Sequence, residues 1–271
     1  MTTVSLGRRG AHVVRVLEED PELAEGIPAA ERERAIHEAV AVCHESPRGP
    51  LDPYLPATDD PGDLGVLLLE GFAGRTVELS GRTTLELLGP GDVGRPWDVL
   101  REDDAAVHVE TRWTAIQPVR WAVLDYGFAR VAGQWPELMS ALMARALERA
   151  RRQTLCSAAS VLPRLQDRLV VLLWLVADRW GRVTRDGVVV PIRMTQAQLA
   201  AMAGARRPSV STAMTALAAR GIVTRQRGGG WCLTPAAAEH VATLSDSGGT
   251  DEVLRRAASA ATRLAPALVP A

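Results

Sequence analysis

The chain has 271 residues, 47% hydrophobic and 23% charged, enough apolar material for one large domain or two ordinary ones. Its longest strongly apolar run, Leu169 to Ala177, is far short of the about 20 residues a membrane-spanning helix needs. The net charge of −1 hides a division: residues 1–144 carry 13 Arg against 24 acids, whereas 145–234 carry 15 Arg against four, and 192–234 hold six Arg and no acid. An acidic segment joined to a basic one predicts a polyanion partner for the basic half.

Residues 1–50 read as a helical or irregular arm, with a helix from Ala30 to Cys43 on the recurrence of Ile36, Val40 and Cys43. Ser46 to Asp63 is rich in Pro and Gly and reads as loop. From Leu64 to Asp125 the texture changes to short strands: Val66–Leu69, Thr76–Leu79, Thr84–Leu88, Ala106–Thr114 and Val119–Leu124. Gly-rich turns separate several of them, so residues 51–135 read as an antiparallel roll or sandwich.

Pro136 opens a long helix, 136–160, with Pro at its first turn. Its Leu, Met and Ala stripe predicts pairing with a second copy through Leu138, Leu142 and Ala146; the alternative is a helix packed on its own domain. A second helix runs from Pro163 to Trp180 and stops at Gly181, and Asp186-Gly187 then suggests a hairpin. Residues 239–271 read as a mobile tail.

Residues 161–238 read as one module, and 195–234 within it carry the most specific pattern. Thr195-Gln196-Ala197-Gln198 is a capping box that opens one helix. Gly204 allows a left-handed turn, Pro208 sits in the first turn of a second helix, and Gly221 ends it. Two short strands around Gly228-Gly229-Gly230 follow. Helix, turn, helix and hairpin make a winged helix-turn-helix, so the whole is an α+β chain: antiparallel β-roll, long dimerisation helix, winged helix-turn-helix. The start of the second helix offers Arg206, Arg207, Ser209, Ser211 and Thr212, donors suited to base edges and phosphates of double-stranded DNA. Thr195 and Gln196 join them from the first helix, and Arg225 and Arg227 lie on the wing. The competing use of such a module is protein contact.

The run Met194 to Ala200, with Ala205-Arg206-Arg207-Pro208-Ser209-Val210-Ser211, resembles the C-terminal domain of the CRP/FNR family of bacterial transcription regulators. Leu87-Leu88-Gly89-Pro90-Gly91-Asp92 resembles a strand-turn of that family's cyclic-nucleotide-binding roll, so the β-rich segment is expected to be a roll of that type. The resemblance implies a homodimeric regulator on an inverted-repeat operator, with Arg207 reading bases. It also implies RNA polymerase as a partner for an activator and leaves room for a small-molecule effector.

The chain departs from the family where the nucleotide would bind. After Gly94 comes Arg95-Pro96-Trp97 with no glutamate, and the phosphate position falls near Val109-Glu110, where an acid repels phosphate. Arg112 projects from a different position. Control by cyclic AMP is therefore not expected. Cys43, Cys156 and Cys232 are isolated, which excludes a disulfide framework and an iron–sulfur centre and fits a reducing, cytoplasmic setting.

None of His12, His37, His44, His108 and His240 stands out as a haem ligand, so no cofactor or metal is expected. The first 15 residues lack the apolar stretch of a secretory signal. All 31 basic residues are Arg, so lysine chemistry is excluded. Two rival functions are a nucleoid-type DNA binder without sequence preference and a metal-dependent enzyme. The enzyme would use the carboxylates Asp59, Asp60 and Asp63 or Glu102, Asp103 and Asp104. The chain reads as a regulator, not an enzyme.

Overall fold

The computed structural model describes residues 11–51, 62–96, 109–226 and 229–247. The chain divides into two compact units, Met1–Val77 with Leu87–Ala150, and Glu78–Glu86 with Arg151–Ala271.

The first unit opens with β1 (His12–Arg15), α1 (Val16–Glu19), α2 (Ala29–Glu38) and β2 (Val40–Ser46). The expected helix therefore stops at Glu38, and Val40 to Cys43 belong to a strand. Ala41 and Cys43 alternate into the core, and period two wins over the period-four spacing of Ile36 and Val40. The arm is thus part of the sheet, with β1 paired to β2.

There follow β3 (Gly49–Leu51), β4 (Gly65–Glu70), β5 (Ala73–Leu79), β6 (Arg82–Leu88, most of it counted in the second unit), β7 (Val93–Gly94), β8 (Glu110–Ala115) and β9 (Val119–Leu124). They build a five-stranded sheet, β1-β2-β9-β4-β7, and a four-stranded sheet, β3-β8-β5-β6. At the β5–β6 turn Ser80 and Gly81 take φ of 51° and 70°, the left-handed region a tight turn uses.

β9 is buried on both faces. Ala122 and Leu124 point to one core with Leu67, whereas Val119, Trp121 and Val123 point to another with Leu68 and Trp113. The first core is closed by α1, α2, α3 (Tyr126–Ala132) and the start of α4 (Pro136–Ser160). Asp125 caps α3 by accepting from the Phe128 backbone N–H at 2.8 Å.

Of the three residues expected at a dimer seam on α4, two are buried in the protomer. Leu138 and Leu142 are 0% and 4% exposed and lie in the core of their own unit with Trp135 and Phe128. Ala146 is half-buried on the following turn. Leu138 and Leu142 thus serve the core of the protomer. A different face of α4 is open: Met143 and Leu147 are 60% and 63% exposed.

The second unit contains α5 (Leu165–Trp180), β10 (Arg182–Thr184), β11 (Gly187–Val190), α6 (Gln196–Met202), α7 (Arg207–Ala219), β12 (Val223–Arg225), β13 (Trp231–Leu233) and α8 (Pro235–Ser247). The expected 186–187 hairpin forms and joins the wing in one sheet, β10-β11-β13-β12. Residues 239–247, expected to be mobile, lie in α8. Ala237 and Val241 are fully buried, and the His240 ring meets the Asp167 carboxylate of α5 at 2.9 Å. Residues 248–271 lie outside the described residues.

Candidate nucleic-acid interface

The residues expected to meet a polyanion lie mainly on the α6–α7 pair. The capping box forms as expected: the Gln198 backbone N–H donates to the Thr195 hydroxyl at 3.2 Å, and the Thr195 N–H donates to the Gln198 side chain at 2.8 Å. A cap of this kind is worth about 0.5–2 kcal/mol and fixes where α6 begins. Gly204 takes φ 59° in the turn, and the Ala205 N–H closes on the Ala200 carbonyl at 2.9 Å. Arg168 of α5 donates to the carbonyls of Leu162 and Ala203, tying the end of α6 to the scaffold.

α7 has one buried row, Val210, Ala213, Met214 and Leu217, which faces its own domain. The opposite row is exposed and holds Arg206, Arg207, Ser209, Ser211 and Thr212. Thr215 extends it, a residue the sequence reading passed over although it lies four positions after Ser211 on the same face. The hydroxyls of Thr212 and Thr215 donate to the Pro208 and Ser211 carbonyls at 3.2 and 3.0 Å. Their oxygens can therefore accept but have no proton to spare, whereas Arg207 and Ser209 keep outward donors. No acid lies in the first turn of α7, where the helix dipole already favours an anion.

Thr195 is exposed but occupied in its cap, and Gln196 is half-buried. On the wing, Arg225 is exposed and opposite Trp231 in register, with its guanidinium 6.0 Å from the indole centroid. Arg227 lies outside the described residues. Arg193, also missed, approaches the wing turn: a Cβ on Gly229 would meet its Cδ at 3.4 Å. Its place in the acid-free run was the available signal.

In the roll, a Cβ on Gly94 would meet the Arg149 Nη1 at 3.0 Å, and that guanidinium also donates to the Val93 carbonyl at 3.4 Å. Glu110 and Arg112 pair with each other on the exposed side of β8. Asp63 is buried and accepts from the Tyr126 backbone N–H at 2.7 Å, so it serves a helix start. Asp59, Asp60, Glu102, Asp103 and Asp104 lie outside the described residues. Among the described residues no group of three or more His, Cys, Asp or Glu is placed to hold a metal ion. No helix among them is long and apolar enough to cross a membrane.

Residues 167–236 match the Crp-like helix-turn-helix domain. Among solved structures, a cyclic nucleotide-binding domain containing protein from Listeria monocytogenes EGD-e superposes with a TM-score of 0.57 at 14% identity, covering 72% of this chain and 89% of that one. FixK2 from Bradyrhizobium japonicum gives 0.52 at 18% identity, with coverages of 72% and 92%. A CRP-family transcriptional regulator from Thermus thermophilus gives 0.50 at 18%, with 79% and 96%. No curated protein matches the chain.

The β-rich half, the long helix and the C-terminal module together share the fold of these solved structures. The C-terminal module is thus similar to the Crp-like helix-turn-helix domain, and the chain as a whole is similar in fold to these solved structures.

Proposed function

We propose that the chain is a homodimeric, sequence-specific transcription regulator in which α7 of each protomer enters one major groove of an inverted repeat. The exposed, acid-free start of α7 carries this reading. Arg207 can address guanine O6 and N7, while Ser209, Ser211, Thr212, Arg206, Thr195 and Gln196 serve flanking bases and phosphates. Arg225 and Arg227 on the wing serve the backbone beside the groove. Half-sites one helical turn apart follow from a two-fold dimer.

The seam we assign is the open face of α4 centred on Met143 and Leu147. Ala150 and Thr154 continue it at spacings of three and four, all exposed. Small side chains there permit close approach of two helices. Cyclic AMP is not the controlling ligand in this reading. The family's glutamate is missing after Gly94, an arginine of α4 stands against that glycine, and Glu110 and Arg112 neutralise each other.

The test begins with genomic footprinting to obtain the operator, followed by binding titrations on operator and scrambled duplexes at several salt concentrations. Arg207→Ala should cost about 1–3 kcal/mol on the operator and relax specificity at one base pair. Arg225→Ala should weaken both duplexes alike and lower the salt slope by about one unit. Equal loss on both duplexes for Arg207→Ala would remove its base-reading role. Equal wild-type affinity for operator and scrambled DNA would favour the nucleoid-type alternative.

A further inference from the structure

The α7 helix offers a narrow set of chemistries to a DNA duplex. Its sequence, Arg207–Ala219, contains no Asp, Glu, Asn, Gln or Lys. It therefore lacks the carboxylates that accept from cytosine N4 and the amides that pair with adenine in the major groove. What remains is one guanidinium, a few hydroxyls and methyl groups.

Position on the helix decides which of these faces outward. At 3.6 residues per turn, Pro208, Thr212 and Thr215 lie within about 30° of the direction opposite the buried row Val210, Ala213, Met214 and Leu217. All three are exposed. Arg207 and Ser209 flank this centre on either side.

Pro208 has no N–H, and its side chain is hydrocarbon. The Thr212 hydroxyl donates to the Pro208 carbonyl at 3.2 Å, and the Thr215 hydroxyl donates to the Ser211 carbonyl at 3.0 Å. With its proton committed, each threonine offers a methyl group and an oxygen that can only accept. The bond also selects one staggered χ1 well, so the methyl is held in place. The middle of the outward face thus carries hydrocarbon and no donor, between flanks that carry donors.

A fixed methyl without a donor suits one feature of the major groove, the C5-methyl group of thymine. We propose that Thr212 is a specificity-determining residue that reads thymine by methyl-to-methyl contact, with the Pro208 ring completing the apolar patch. Thr212 is assigned rather than Thr215 because a recognition helix meets base edges with its N-terminal part, and Thr212 lies nearly one turn closer to that end. The contact rests on the DNA reading above and adds to it a base pair, besides guanine, that the operator must contain.

The test begins with in vitro selection of a random duplex library on the full chain, which supplies the operator. Each thymine of one half-site is then replaced singly by deoxyuridine, which removes the C5-methyl and leaves base pairing intact. With the wild-type chain, one such replacement should weaken binding about fourfold, the size of one buried CH2 group. Thr212→Ser keeps the hydroxyl and removes the methyl, so it should lose the difference between thymine and deoxyuridine at that position. Thr212→Val keeps the methyl and removes the hydroxyl, so it should retain the difference. At the same position 5-methylcytosine should bind more tightly than cytosine, because it carries the methyl on a different base pair.

Selection that enriches no sequence would remove sequence-specific recognition, and this contact with it. An operator whose half-sites lack thymine would overturn the thymine contact alone. So would deoxyuridine that binds as tightly as thymine at every position, or a loss that persists in Thr212→Ser. A loss abolished by Thr215→Ser instead would take the contact away from Thr212 and overturn the assignment.

Discussion

Leu142 and Leu147 lie on one helix and differ in what a truncation should do. Leu147 is 63% exposed in the protomer and Leu142 is 4% exposed. Fully burying a leucine is worth about 1.5–3 kcal/mol, so covering the open part of Leu147 contributes about 1–2 kcal/mol per protomer. In the proposed two-fold dimer the contact is used twice. Leu147→Ala should therefore weaken the dimer by about 2–4 kcal/mol, roughly 30- to 1,000-fold in its dissociation constant.

Leu142→Ala leaves a cavity beside Trp135 and Phe128 and should cost about 2–5 kcal/mol of folding stability. It should leave the dimer constant close to wild type. Sedimentation velocity over a concentration series reads the first quantity. Thermal melting at fixed protomer concentration reads the second, because dimerisation shifts the melting temperature by mass action. A Leu147→Ala chain that sediments as wild type would refute the assigned seam. A Leu142→Ala chain that dissociates without loss of stability would return the seam to the Leu138 and Leu142 face.

Three further outcomes follow from buried groups. Asp167→Ala removes the acceptor that holds His240 and should cost about 1–3 kcal/mol, seen as early hydrogen exchange in α8, whereas Asp167→Asn should lose less. Burial depresses the His44 pKa below its ordinary value of 6.5, so the unfolded chain takes up the proton more readily than the folded one. The stability this neutral ring carries is full above about pH 6.5 and is lost as pH falls further, and a denaturant series on His44→Phe should show a flatter acid limb. Cys43 and Cys232 are fully buried, and burial pushes the Cys156 thiol up to about 11. Native protein at about pH 8 should therefore react slowly with a thiol reagent at all three, and quickly only once unfolded.

The parts legible in the sequence were those fixed by local chemistry. The capping box at Thr195, the left-handed Gly204, Pro208 in the first turn of α7 and the Asp186-Gly187 turn each depend on neighbours within a few residues. The arm before residue 50 was illegible for the opposite reason. Val40 to Ser46 is a strand because Val42 to Ser46 pair with Val119 to Val123, more than seventy residues away, and no local window contains that partner. Trp113 and Trp121 are in plain view in the sequence, but that neither buried indole N–H meets a partner among the described residues is a property of the packed roll.

The proposed seam on α4 is different, because its signal is local but two rows of the helix carry it. Leu138, Leu142, Ala146 and Ala150 recur every four residues. At 3.6 residues per turn each such step advances about 40° around the helix, so the row winds away from any straight partner within three steps. A pairing face must instead alternate three and four, drifting only about 20° per heptad, which a slight supercoil absorbs. Ser140, Met143, Leu147, Ala150, Thr154 and Ser157 keep that alternation, and every one of them is exposed. The four-residue row fits a curved surface, and at Leu138 and Leu142 it meets the core built by α1, α2 and α3. The same helix thus carries two rows with different periods, and in the proposed dimer the row that alternates three and four is the one that meets the second copy.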